Sequence, residues 1–324
     1  MNLLYDARFV EVSVFPRDES GARILTSSFV INDYLKSSLV ANQFYIQFQI
    51  QKDVIGEANV AYLTLYNLPE NYCNALSYRK TPASLTYGAE VIIKIGYTQS
   101  GLIQAFRGFV VESNTKKIPP NYITHVELRN SYYELKKRRV NLKIAKGSKK
   151  SSAILEAIDF VGGELDLEQK TKLEQILAGE FFEKDEIIDE NIDTFLRRFG
   201  SDYFNTLRIR WDDTGASFDA LGLSSSDIKE SEIIDIDATK GEVIGSPSVT
   251  SRGFEVDMPI SVTKNFNLNT IVRVNSEAIT AFFIGGGIKR QNKTAVEKIW
   301  YTGDNRDGDY KTTITTKFLL DQTI

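Results

Sequence analysis

The chain reads as a mainly β protein, α+β overall, with a small helical module between two strand-rich segments. Three observations predict this class. Residues 44–51 and 58–68 each alternate apolar and polar side chains and are separated by a short turn-like stretch. Short runs rich in Val, Ile, Thr, Tyr and Phe, bounded by Gly, Pro and Asn, recur before residue 145 and after residue 242. Such residues suit a pleated, half-buried surface, and many short strands at regular spacing point to a sandwich or a barrel. Between about 148 and 200 the apolar period changes from that of a strand to that of a helix.

The elements follow in order. Phe9 to Phe15 alternates and stops at Pro16, with Asp18 to Gly21 as a turn. In Phe44 to Gln51, successive side chains of a strand point to opposite faces, so Phe44, Ile46, Phe48 and Ile50 line one face and Gln47, Gln49 and Gln51 the other. An uncharged glutamine face is too polar for a core, so 44–68 is a two-faced antiparallel hairpin. Pro69 to Leu76 allows a short helix. Strands are expected over Gly88–Tyr97, over Ala105–Glu112 with Gly108 a candidate bulge, and over Tyr122–Arg129. In the module, Ile154, Ala157, Ile158 and Val161 form one helical stripe closed by Gly162-Gly163. Ile192, Phe195, Leu196 and Phe199 form another ending at Gly200, and Leu165 to Ala178 is a more charged helix between them. Thr206–Trp211 and Ala216–Leu221 flank the hairpin turn Asp212–Gly215. After an acidic, serine-containing connector, strands return at Gly253–Pro259, Thr270–Asn275, Ala281–Ile284 and Tyr310–Phe318.

The totals narrow the classes. With 324 residues, about two domains are expected, and the chain can bury sizeable cores without staples. Its 42% hydrophobic and 25% charged content is that of a globular protein, not a disordered one. A net charge of −4 offers no general attraction for nucleic-acid phosphates. The run Lys136-Lys137-Arg138-Arg139 reads as a solvated strand end, or else as a docking surface for an acidic partner. The single Cys73 rules out an intrachain disulfide framework and fits folding in a reducing compartment. No signal peptide and no membrane-spanning segment is legible, so synthesis and folding in a cytosol are expected.

A catalytic constellation is hard to find. The one histidine, His125, sits mid-strand, where structural use outweighs catalysis. No HExxH, Walker or Rossmann pattern occurs, and Gly285-Gly286-Gly287 lacks the partners of a phosphate loop. The acidic pairs Asp185-Glu186 and Asp212-Asp213 are adjacent, whereas glycoside hydrolysis needs two carboxylates held apart across a cleft. Asp304 to Asp309 lacks the alternating ligands and closing Glu of a calcium loop and reads as a turn. No catalytic, cofactor-binding or metal-ligating residue is assigned, and no cofactor is expected.

The stretch Glu57 to Glu70, with its Tyr66-Asn67-Leu68-Pro69-Glu70 ending, resembles a strand near the N-terminus of the baseplate hub proteins of contractile-tailed bacteriophages. The glycine-led strand Gly88–Tyr97, Phe106-Arg107-Gly108, Gly245-Ser246-Pro247 and Thr302-Gly303-Asp304 extend the resemblance in order through all the segments. A His that often precedes the final Gly-Asp is replaced here by Tyr301-Thr302. The resemblance implies two tail-tube-like β-barrel domains, at 1–145 and 242–324, with the α+β module at 146–222 and the acidic connector at 223–241. It implies a non-enzymatic, structural hub subunit forming a homotrimeric, pseudo-sixfold ring. That ring would join the tail tube protein to the central spike protein and touch other baseplate proteins, with a tape measure as a further possible partner. Genome DNA would pass through without specific binding, with Gln47, Gln49 and Gln51 as candidate lumen-lining residues. The implied place is the virion tail baseplate, assembled in the host cytoplasm. Two other classes compete: a tail-associated cell-wall hydrolase with the middle module catalytic, and a glycan-binding host-recognition protein displaying Tyr132-Tyr133.

Overall fold

The computed structural model describes residues 7–17, 23–34, 43–53, 59–76, 88–130, 135–163, 165, 167–202, 207–211, 216–220, 230–250, 252–261, 266–277 and 293–319. The chain opens with β1 (Arg8–Phe15), β2 (Phe29–Ile31), β3 (Ile46–Asp53) and β4 (Val60–Tyr66). Helix α1 (Glu70–Leu76) precedes β5 (Glu90–Tyr97), β6 (Gly101–Ile118) and β7 (Asn121–Arg129). The middle part holds β8 (Arg139–Ile144), α2 (Lys150–Phe160), α3 (Leu167–Ile176), β9 (Glu186–Asn191), α4 (Ile192–Asp202), β10 (Leu207–Trp211) and β11 (Ala216–Ala220). The last part holds β12 (Ile233–Asp237), β13 (Ser248–Val249), β14 (Phe254–Pro259), β15 (Ile271–Asn275), β16 (Lys293–Asp304) and β17 (Tyr310–Phe318). The protein is mainly β, and most of its described α-helical residues lie in the middle part.

One 13-stranded sheet runs in the order β13-β14-β17-β16-β3-β4-β7-β6-β5-β1-β2, with β15 joined to β16 and, in parallel, to β12. The expected hairpin is present: β3 and β4 pair antiparallel, with Phe48 opposite Leu63 and Gln49 opposite Tyr62. Ile46, Phe48 and Ile50 are buried, each contributing about 1.5–3 kcal/mol by leaving water. Residues from the first and last parts share one apolar core, in which Val12, Leu65 and Val126 occur with Val256, Ile299 and Ile314. A separate cluster fills the middle module, around Ile154, Ile158, Leu173, Ile188, Phe195 and Phe199. Both stripes expected for its helices are buried. The Gly162 and Gly163 amides close α2 on the carbonyls of Asp159 and Ile158, with Gly162 left-handed at φ +73°.

The first and last parts are stitched together by a strand ladder and by side chains beyond it. Strand β16 pairs with β3 from Lys298↔Asp53 to Asp304↔Gln47. Beyond the ladder, Asn305 accepts from the Ile46 amide at 3.0 Å and donates to the Phe44 carbonyl at 2.8 Å. The buried Tyr310 hydroxyl accepts from the Gly96 amide at 2.7 Å and faces the carbonyls of Phe9 and Gly96 at 2.9 and 2.7 Å.

Three differences from the sequence-based expectation have physical causes. Gly108 is not a bulge; the register slips at Ala105 and at Val111. A Cβ at Gly108 would stand 2.4 Å from the Arg129 carbonyl oxygen, so the glycine serves close approach between β6 and β7. Strand β16 escaped notice because a bulge between Val296 and Lys298 shifts its phase. Inward residues are Thr294 and Val296 before the bulge, but Ile299 and Tyr301 after it. The connector's alternating Ile and Asp form β12, with Ile236 buried. The turns Asp18–Gly21 and Asp212–Gly215, the strand Ala281–Ile284, the glycine triplet 285–287 and the pair Tyr132-Tyr133 lie outside the described residues.

Candidate functional site: the polar face of the shared sheet

Alternation in each strand puts a polar face on the side of the sheet away from the core. On β3 that side holds Gln47, Gln49 and Gln51, opposite in sense to Ile46, Phe48 and Ile50. Pairing carries the face sideways: Gln49 lies between Tyr62 of β4 and Thr302 of β16, and Gln47 between Thr64 and Asp304. Gln51 lies between Val60 and Trp300. It continues through His125, Glu127 and Arg129 of β7 to Glu112 and Asn114 of β6. On the other side it runs through Lys311, Thr313 and Thr315 of β17 to Glu255 and Asp257 of β14.

The three glutamines are not equivalent. Gln49 is exposed and Gln51 half-buried. Gln47 is held: its Nε2 donates to the Tyr45 hydroxyl at 2.9 Å, and the Tyr66 hydroxyl donates to its Oε1 at 3.1 Å. The Tyr45 and Tyr66 rings lie 4.7 Å apart, and the Arg306 guanidinium sits 5.0 Å over Tyr45. Burial and the neighbouring Asp304 push the Tyr45 phenol up, which keeps it neutral.

Several cations on this face lie against carboxylates. Lys298 meets Asp53 at 2.9 Å, Arg129 meets Glu127 at 2.8 Å, and Lys311 meets Asp257 at 2.5 Å. Burial alone would raise Asp257, but Lys311 and Thr313 outweigh it and hold the carboxyl below its usual range. His125 is exposed on this face, with Nδ1 3.2 Å from the Thr64 hydroxyl. Sequence reasoning found the glutamines but not Tyr62, Trp300, Thr302 or the ion pairs. The period-two signal was there in each strand, but only the register shows that the stripes lie side by side.

Other sequence candidates have structural uses. In the basic run, Arg138 donates to the Val161 carbonyl at 2.6 Å and Arg139 pairs with Asp189 at 2.7 Å. Asp185 accepts from the Lys146 amide at 2.8 Å. Glu186 and Glu190 both face Arg198, at 3.1 and 2.8 Å. The Asp304 carboxylate accepts from the amides of Arg306, Asp307 and Gly308 at 2.7–2.9 Å, closing the turn between β16 and β17. Burial would raise its pKa; those donors and Tyr45 prevail and lower it.

This architecture is one found in phage tail proteins. It is shared with the 43 kDa tail protein of prophage MuSo2 from Shewanella oneidensis, at 10% identity and a TM-score of 0.53, over 84% of this chain and 92% of that one. It is shared with a tail protein of Neisseria meningitidis MC58, at 10% identity and a TM-score of 0.52, over 96% of each chain. A chain of the half-lidded Francisella PdpA–VgrG complex matches at 9% identity and a TM-score of 0.58, over 98% of this chain and 59% of that one. No family model matches the chain, and no curated protein matches it by sequence.

Proposed function

We propose that this protein is a baseplate hub subunit of a phage tail or a related injection machine. Three copies form a pseudo-sixfold ring, each contributing one tube-like barrel from the first strand group and one from the last. The observation that carries this reading is the pairing of β3 with β16, which makes the two strand groups one sheet with one polar face. A subunit carrying two strand groups side by side would turn threefold symmetry into six positions around the ring. Such a ring meets a hexameric tail tube protein on one side and a threefold spike on the other, with other baseplate proteins and a tape measure around it. It acts as a structural adaptor without catalysis, assembled in the host cytoplasm and carried in the virion tail.

In this reading the polar face is the wall of the DNA passage, with Gln47, Gln49 and Gln51 in its stripe. Neutral amides and internally paired cations leave few free charges to retain phosphates. The shared fold with tail proteins supports the assignment of class. Light scattering tests it on the chain alone and co-expressed with neighbouring tail genes. A trimer mass in either setting is expected; a monomer or dimer mass in both overturns it.

A further inference from the structure

The basic stretch singled out in the sequence divides in two in the structure. From Lys136 to Lys150 the chain carries eight cationic residues and no carboxylate. Arg138, Arg139 and Lys150 are engaged within the middle module, on the Val161 carbonyl, on Asp189 and on Glu180. The ammonium groups of Lys143, Lys146 and Lys149, all three residues exposed, have no hydrogen-bond or ion-pair partner among the described residues. The β8–β9 ladder fixes where they stand. Lys143 lies directly opposite Ile187, and both point away from Leu142, Ile144 and Ile188, which fill the module's core. Lys149 lies directly opposite Phe181, whose neighbour Phe182 is buried in the same core. Between the two pairs the chains stay joined: the Gly147 amide donates to the Phe182 carbonyl at 2.8 Å, and the Phe182 amide to the Ser148 carbonyl at 3.0 Å. Ile187 is 71% exposed and Phe181 47%. A single exposed apolar side chain is ordinary. Here two of them each face a lysine that has no counter-charge, along a stripe no longer than about 20 Å.

We propose that this stripe docks an acidic segment of another tail protein. The segment sets apolar side chains on Ile187 and Phe181 and carboxylates against Lys143, Lys146 and Lys149. Only the source of the partner rests on the tail reading above. Its chemistry follows from what the stripe lacks. A segment carrying both carboxylates and large apolar residues removes the two exposed side chains from water and supplies the missing negative charges. Carboxylates of this chain do not compete for those lysines. Glu180 is held by Lys150, Glu186 and Glu190 by Arg198, and Asp189 by Arg139, while Asp185 accepts from the Lys146 amide. Glu183 is followed directly by Lys184, so that turn adds no net charge. Nucleic acid would engage the lysines and leave Ile187 and Phe181 uncovered. A flat anionic lipid surface would press against exposed Glu183, Asp185 and Asp189 as well as the lysines. A narrow peptide segment meets neither obstacle.

The test is photo-crosslinking in the full chain, co-expressed with its neighbouring tail genes. Benzoylphenylalanine replaces Ile187 or Phe181, and adducts formed on irradiation are mapped by mass spectrometry. Both positions are expected to capture the same segment of one other tail protein, with a net negative charge. The adduct is expected to be lost when Lys143→Glu, Lys146→Glu and Lys149→Glu are combined, and to return when the captured carboxylates are changed to lysine. The three lysines are exposed, so the combined variant should keep the wild-type melting temperature; if it does not, Lys→Gln at the same positions takes its place. No adduct, an adduct to this chain itself, or an adduct indifferent to the charge reversal overturns the proposal. So does binding of the purified chain to a short DNA duplex or to phosphatidylglycerol vesicles that the same reversal abolishes, since the stripe then serves phosphates. A trimer mass without the adduct overturns this inference and leaves the hub reading standing. The adduct on a chain that stays monomeric overturns the hub reading and leaves this inference standing.

Discussion

Single side chains hold the first and last strand groups in one body. Tyr310 comes from the last strand, yet its hydroxyl serves backbone groups of Phe9 and Gly96. Burial pushes its phenol far above the ordinary range, so it remains a neutral donor. Replacing Tyr310 by Phe leaves the buried Gly96 amide and a carbonyl without their partner. A loss of about 1–3 kcal/mol is expected, read from the urea midpoint of the β-sheet transition. Glu90 ties segments within the first strand group, where it accepts from Arg23 at 2.6 Å and Arg107 at 2.7 Å while itself buried. Desolvation alone would raise its pKa; the two guanidinium groups outweigh it and lower the pKa. A depressed folded pKa contributes stability above the unfolded value of about 4.3, and that contribution fades as pH falls through the lower folded value. The urea midpoint of Glu90→Gln is therefore expected below wild type at pH 7, by about 1–3 kcal/mol. The gap narrows towards pH 3. A constant gap across that range would contradict the assignment.

At the scale of elements, the middle module has its own core. Phe195 packs edge-on against Phe199 at 5.1 Å, and Phe199 against Phe182 at 6.0 Å, within a cluster separate from that of the sheet. Phe195→Ala removes a fully buried ring and is expected to cost about 3–5 kcal/mol. Hydrogen exchange should show lost protection in α2, α4 and β8–β9 with β3, β4 and β16 unchanged; loss in both would contradict two cores. These helices were legible in the chain because their apolar stripes at i, i+3, i+4 and i+7 need no distant information. The hairpin β3–β4 was legible for the same reason, its alternation being unbroken. Strand β16 was not, since one bulge residue reverses the phase and two half-patterns look like none. Gly108 was misread because a glycine inside a strand signals either a bulge or a close approach, and the distance to Arg129 decides between them.

For the whole molecule, the continuous polar face ties architecture to the proposed role. In a ring whose lumen is this face, Gln49 and Gln51 stand where free cations would hold DNA. Gln49→Lys with Gln51→Lys leaves the Gln47 hydrogen bonds to Tyr45 and Tyr66 in place, so folding and trimer mass should be unchanged. In particles, DNA ejection should slow, and the delay should shrink as salt rises, because each lysine–phosphate contact releases counterions. Ejection at the wild-type rate at low salt would place these residues outside the passage. Peptidoglycan clearing by the purified chain, abolished by single carboxylate changes in the middle module, would instead support the hydrolase class.

The amino-acid sequence by itself determined the class of each local element: period two for the strands, period 3.6 for the middle helices, and the polar character of the glutamine row. These properties are local, written within a few residues of one another, and burial of one face suffices to enforce them. Only the tertiary structure decided that β3 meets β16, some 250 residues later in the chain, that Tyr310 reaches Gly96, and that separate polar stripes join into one face. Such pairings depend on which edges meet once the core has formed. An alternating strand carries the same pattern whichever neighbour it finds.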